Sequence, residues 1–246
     1  MISISANLNL MIKAAEKASK SMIRDFGEVE KLQVSKKGPN DYVTKTDRHI
    51  EKILVEELSK AKKNYSFLTE EIGVIRNKDK DNVWIIDPID GTTNFLHGIP
   101  HFAISIALQS QGEFISGLVF DPIKDEMFFA EKDKGAFLNN QRLRVSKKNS
   151  IDECLFASNH EGARFSNLNI RCSGSTALDL AYVASGRLDG HFQNKINLWD
   201  VAAGALLIKE AGGIVNSINI NDLSKINIKA SSSAINHQML ESLINF

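Results

Sequence analysis

The sequence is poor in several things that would give a chain away. Only two cysteines occur among 246 residues, Cys154 and Cys172, which is too few for a disulfide framework and lacks the paired spacing of a structural zinc site. That usage suits a reducing compartment, with the two thiols unpaired. Thirty basic side chains are matched by thirty acidic ones, so no global field draws the chain to nucleic acid or to an anionic membrane. No uninterrupted apolar stretch is long enough to span a bilayer. The opening "MISISANLNLMIKAAEKASKSMIRDF" has no basic segment followed by a long apolar core, so it does not read as a signal peptide and a cytoplasmic location is expected. Repeats, low-complexity tracts and Pro/Ser linkers are also missing. The chain reads as one domain over 1–246, with approximate halves 1–145 and 146–246.

What is present is an ordinary globular composition, 43% hydrophobic and 24% charged. Leu8, Met11, Ile12, Ala15, Met22, Ile23 and Phe26 recur at helical spacing. "VSKKGPNDYVTKTD" then reads as a loop, and helical periodicity returns through Ile50, Ile53, Leu54 and Leu58, with Thr46 or Asp47 as the cap. "YSFLTEE" and "NVWIIDPIDGTTNF" read as strands ending on acids. From Phe102, apolar runs broken by Gln-Gly, Asp-Pro and Asn-Asn predict an antiparallel meander. Further on, "GSTALDLAYVASGR" and "DVAAGALLIKEAGG" read as helices stopped by glycine, between short strands at 155–157, 190–192, 214–216 and 228–230.

"IIDPIDGTTNF" carries the chemistry. Asp87 and Asp90 follow the apolar run Val83-Trp84-Ile85-Ile86, with Pro88 fixing the backbone between them and Gly91 allowing a turn. Buried carboxylates need protons, basic partners or cations, and no Lys or Arg lies inside the motif. Hard oxygen ligands without His or Cys favour Mg²⁺ or Ca²⁺ over zinc, and a bridging carboxylate suits two-metal phosphoryl chemistry. The backbone amides of Gly91, Thr92 and Thr93, opening a short helix, suit a phosphate. Taken alone, the stretch reads equally as two turn signals. Glu70-Glu71 and Asp200 add acids at the ends of elements, although Asp200 by itself reads as a helix cap. His97 and His101 flank Gly-Ile-Pro, which is no zinc helix, and packing accounts for them.

"FLTEE", "WIIDPIDGTTNFLHGIPHFAISIAL" and "LWDVAAGALLIKEAGG", in that order, resemble the inositol monophosphatase family of lithium-sensitive, magnesium-dependent phosphatases, and "SGSTALDLAYVASGRLDGHF" looks most like its bacterial members. The resemblance implies a layered α/β/α/β/α sandwich with mixed, mostly antiparallel sheets. It implies a hydrolase of inositol 1-phosphate or another small phosphorylated substrate, using two or three Mg²⁺ ions. Glu70, Asp87, the Ile89 carbonyl, Asp90 and Asp200 are then the metal ligands. Asp47 and Thr92 orient the attacking water, though Asp47 reads as well as the helix cap. Asp90, Gly91, Thr92, Ser175, Thr176, Gln193 and Asp200 contact phosphate or substrate. Lys36 falls in what the family uses as a mobile loop and is left outside the catalytic set.

The motif fixes the reaction and leaves the alcohol open: fructose 1,6-bisphosphate, adenosine 3′,5′-bisphosphate and histidinol phosphate are handled by relatives with the same metal motif. A regulatory role beside the transcription machinery is the alternative from another class, and the neutral charge gives it no support. Two departures from the family pattern matter. The segment 158–171 is short by about a helix where the family forms its homodimer. Gln193 stands where inositol-selective members place a glutamate, and Thr176 where a smaller residue lines the pocket, which predicts relaxed specificity.

Overall fold

The computed structural model describes residues 4–32, 39–158, 168–219 and 225–235, and the structural statements that follow concern these. Helix α1 (Ala6–Leu32) buries the stripe Leu8, Met11, Ala15, Ala18 and Met22. Ile23, placed in that stripe by spacing, is 44% exposed, because one step of about 100° beyond Met22 carries it off the buried face. Helix α2 (Pro39–Ala61) adds Ile50, Leu54 and Leu58 to the same core. It begins inside the segment expected to be a loop. Pro39 is its first residue, a position where proline's fixed φ and missing N–H are no handicap, so the Pro-Asn-Asp sequence starts a helix instead of a turn. Lys36 and residues 159–167 of the shortened segment lie outside the described residues.

Eight strands form the first sheet: β1 (Tyr65–Thr69), β2 (Gly73–Ile75), β3 (Asp79–Asp90), β4 (Ala103–Ser110), β5 (Glu113–Asp121), β6 (Glu126–Glu131), β7 (Gly135–Leu138) and β8 (Gln141–Arg142). Their order is β2-β1-β3-β4-β5-β6-β7-β8; β1 and β3 run parallel and the remaining pairs antiparallel. The expected meander from β4 onward is present. A short helix, α3 (Thr92–Leu96), joins β3 to β4. The second sheet has the order β10-β9-β11-β13-β12, built from β9 (Leu155–Ala157), β10 (Asn169–Arg171), β11 (Gly190–Ile196), β12 (Ile214–Val215) and β13 (Ile226–Ser231). β10 was not anticipated, since three residues carry too little pattern to stand out.

Between the sheets lie α4 (Thr176–Ala184) and α5 (Leu198–Glu210). Strand side chains alternate faces, so Trp84 and Ile86 pack under α1 and α2 while Ile85 faces α4 and α5. That two-sided burial explains the unbroken apolar run of β3. The inner core joins Ile85, Val119 and Phe128 of the first sheet to Ile228 and Ala230 of the second through Leu178, Val201 and Leu207. A Cβ on Gly204 would lie 2.4 Å from the Leu180 Cβ, so α4 and α5 meet with no room for a side chain there. The far face of the second sheet packs Phe156 and Phe192 with Cys154 and Ile235. The result is the layered α/β sandwich expected, with the described residues filling helix, sheet, helix and sheet layers. Both cysteines are free, and among the described residues no helix is long and apolar enough to cross a membrane.

Candidate active site

Strand β3 runs through the motif to Asp90, and its pairing with β4 slips between Asp87 and Asp90. The slip and the Pro88 between them bend the strand end, and the Asp87 carboxylate accepts the Ile89 N–H at 3.0 Å, closing a local turn. Gly91 follows with φ +99°, and a Cβ there would meet the His101 carbonyl at 3.0 Å, so only glycine allows the chain to turn this close to β4. The Thr92 hydroxyl donates to the Ile89 carbonyl at 2.9 Å, which orients that carbonyl and leaves the hydroxyl oxygen as an acceptor.

Opposite stands the start of α4. The Asp90 carboxylate accepts from the Ser175 hydroxyl, from the Ala177 N–H at 2.8 Å and from the Thr176 N–H at 3.3 Å. Ser175 is the N-cap of that helix, so Asp90 is held by the unsatisfied amides and positive end of α4. Asn94 of α3 locks the two pieces together, donating to the carbonyls of His101 at 2.8 Å and Ser173 at 2.9 Å. Asp200 comes from a second helix start: it lies in the first turn of α5 and accepts the N–H of the N-cap Asn197 at 3.0 Å. The capping reading of Asp200 therefore holds for one of its oxygens. Asp200 also belongs to a cluster in which one carboxylate oxygen each from Asp87, Asp90 and Asp200 lie within 4.8 Å of one another.

Asp87 is central: the charges of Glu70, Asp90 and Asp200 all bear on it. Burial and then the charges of Glu70, Asp90 and Asp200 hold its carboxyl well above the usual carboxylate range. Burial, followed by Asp200, pushes Asp90 up to about 8 despite its three donors. Burial is likewise the main cause for Glu70, raised to about 7, and for Asp200, raised with Asn197 and Lys225 opposing. Asp47 is pushed up to about 8 by burial and by Glu71, Glu70 and Glu51, and its Oδ1 is buried without a partner. It lies inside α2, well past the helix start, so the capping role read for it is wrong: the helix begins at Pro39 and Asp47 has no terminal amides to serve.

The remaining assignments separate. Glu71 turns to Arg48 at 3.4 Å, outside the three-carboxylate cluster. Thr176 and Gln193 meet, the threonine hydroxyl donating to the Gln193 Oε1 at 3.0 Å. His97 is the exposed C-cap of α3 and His101 packs edge-on against Tyr182 at 6.0 Å, the one a surface residue and the other a packing residue. Two groups were missed. Asn94 reads from sequence only as part of the short helix after Thr93, and only its reach to residue 173 shows its role. Glu51, fully buried, accepts the N–H groups of Glu71 at 2.9 Å and Ile72 at 2.8 Å and so fixes the turn that carries Glu70. The spacing Asp47-x-x-x-Glu51 puts both acids on one helix face, a signal that was available.

A buried, all-oxygen set of acids with an orphaned carboxylate oxygen beside it suits a hard divalent cation: the donors match, and a cation would compensate the burial that raises every one of these carboxyls. The inositol monophosphatase family model matches residues 4–245. An inositol-1-monophosphatase of Rhizobium meliloti is 51% identical over 224 residues, 85% of this chain and 84% of that protein. A protein of Pasteurella multocida named Nus factor SuhB is 40% identical over 227 residues, covering 86% and 85%. The crystal structure of extragenic suppressor protein suhB from Bartonella henselae superposes with a TM-score of 0.87 at 45% identity, over 98% of this chain and 99% of that one. The chain thus belongs to the inositol monophosphatase family and is a metal-dependent phosphatase.

Proposed function

We propose that the protein hydrolyses phosphate monoesters of small alcohols with Mg²⁺, accepting inositol 1-phosphate within a broad range. The observation that carries this reading is the meeting of Asp87, Asp90 and Asp200, brought from a strand end and a helix start more than a hundred residues apart. Two or three cations would be held by these carboxylates together with Glu70 and the Ile89 carbonyl, and when bound they supply charge neutralisation and Lewis acidity at phosphorus.

The chain's own groups do the rest. Thr92 has spent its proton on Ile89, so its oxygen accepts from a water; Asp47 accepts the second proton of that water. A water held by two acceptors aims a lone pair at phosphorus. As its oxygen bonds to phosphorus, the ester P–O bond breaks, the water's proton passes to Asp47, and the leaving alkoxide takes a proton from solvent, with no covalent phosphoenzyme. Backbone amides of Gly91 and Thr92 cradle the phosphoryl oxygens. Ser175 keeps Asp90 in place, and Thr176 and Gln193 form the wall toward the alcohol.

The test is phosphate release from polyol, sugar, nucleotide and histidinol phosphates with magnesium present and absent; no magnesium-dependent release from any of them would sink the reading. Lithium, a small hard cation, is expected to inhibit at limiting magnesium, and activity unchanged across a lithium titration would count against an oxygen-only site. The free thiols fit a cytoplasmic setting. A second reading, contact with the transcription machinery, is favoured by the similarity to the SuhB protein of Pasteurella multocida. It separates from hydrolysis in Asp90→Asn, where co-purification with RNA polymerase would persist while turnover is lost.

A further inference from the structure

On β11, His191 and Gln193 point to one face, and α4 lies against that face with Asp179 and Thr176, which are three residues apart on the helix. The two elements meet through two polar pairs: His191 Nδ1 to Asp179 at 3.4 Å, both side chains buried, and the Thr176 hydroxyl to Gln193 Oε1 at 3.0 Å. Thr176 also gives its N–H to Asp90, so the Gln193 amide is one side chain removed from the carboxylate cluster. With Oε1 turned to the threonine hydroxyl, the end of the Gln193 amide that faces away from Thr176 is its NH₂ group, a donor. Gln193 is half-buried. A second positive group, the ammonium of Lys225 on an exposed residue just before β13, bears on Asp200.

A glutamate at this position would accept hydrogen bonds from polyol hydroxyls. The Thr176–Gln193 pair turns the wall the other way, from acceptor to donor. We infer that the alcohol-facing wall of this site selects phosphate monoesters whose alcohol carries a second anionic group, a carboxylate or another phosphate, over uncharged polyol phosphates. The inference rests on the phosphatase reading above. An anionic acceptor receives a charge-assisted hydrogen bond from the amide, where a hydroxyl receives a neutral one, a difference of roughly tenfold in affinity. Lys225 adds attraction of the same sign, screened because it is exposed.

Matched esters test this in the magnesium-loaded enzyme. One pair is glycerol 2-phosphate and 2-phosphoglycerate; the other is propane-1,3-diol monophosphate and its bisphosphate, corrected for its two equivalent esters. Wild type is expected to favour the anionic member of at least one pair about tenfold in kcat/KM, and the pair that responds tells carboxylate from phosphate. Gln193→Glu should lower that ratio tenfold or more, and Thr176→Val, which frees the amide to rotate, by severalfold. Lys225→Met, on the surface and safe for folding, should lower it severalfold even if the other variants fold poorly. A wild-type ratio at or below one in both pairs, or ratios unmoved by both Gln193→Glu and Lys225→Met, overturns the inference while leaving the phosphatase reading intact. Magnesium-dependent release from none of the four esters overturns both.

Discussion

The acids of the site fall into two regions that are stabilised in different ways. Asp90 and Asp200 are held by helix starts, the first by three donors of α4 and the second by the Asn197 N–H of α5. Asp47, Glu70 and Asp87, on α2, the β1 end and the β3 end, have few donors: one Asp47 oxygen is buried and unpaired, and the Glu70 charge opposes that of Asp87. The first region is a scaffold that orients charge. The second is charge without compensation, the kind of group whose burial is tolerated only for a counter-ion.

Neutralising single members should expose that difference most strongly. Asp87→Asn and Asp90→Asn are both expected to cost about a thousandfold or more in kcat/KM, the scale set by loss of a transition-state charge partner, with circular dichroism unchanged. In metal-free protein, however, Asp87→Asn should raise Tm more than Asp90→Asn, because it relieves repulsion and sacrifices one local turn bond instead of a three-donor set. Equal Tm changes would show that the two regions do not differ.

pH is the next lever. Folded carboxyls at about 7 for Glu70 and about 8 for Asp47 and Asp90 lie above the unfolded range near 4, so the native state binds more protons between those values. Their contribution to stability is complete below about pH 4 and is lost as pH rises through 7 to 8. Calorimetry in chelator should therefore give a Tm that falls between pH 6 and 8.5, and magnesium should flatten the fall; a chelated protein with the same Tm at both ends would contradict the charge assignment.

Smaller effects probe the scaffold. Ser175→Ala removes both the α4 N-cap and a donor to Asp90, and is expected to lower stability by about 1 kcal/mol and kcat/KM by about tenfold. A purely structural role would lower Tm without touching turnover. Glu51→Gln keeps one acceptor for the Glu71 and Ile72 amides, so a loss of about 1 kcal/mol with a severalfold rise in the magnesium needed for half-activity is expected. Chemical denaturation and a magnesium titration measure the two.

Much of this was legible in the sequence because local chemistry dictated it. The Trp84-Ile85-Ile86 run had to be a strand covered on both sides, Gly186 and Gly212 had to end helices, and Asp87-Pro-Ile-Asp90 could not be buried without help. What stayed hidden depended on partners far along the chain. Asp47 looked like a cap because Gly-Pro-Asn-Asp is turn-forming in isolation, and nothing nearby announced that proline would open the helix. Asn94 works by reaching backbone atoms of other segments, which leaves no periodic trace, and Glu51 was marked only by its i,i+4 spacing from Asp47. Gln193 stood out by its identity, but the direction of its amide was set by Thr176, seventeen residues earlier.

The grip of α4 on Asp90 also bears on how the protein is made. The donors to Asp90 lie 85 to 87 residues further along the chain, and Asp200 comes later still. During synthesis, β3 and its acids leave the ribosome long before α4 and α5 exist, so a partial chain holds the motif without the site. Until α4 and α5 follow, the sheet has helices for only one of its faces, and a fragment that stops before α5 lacks Asp200 and with it the three-carboxylate cluster.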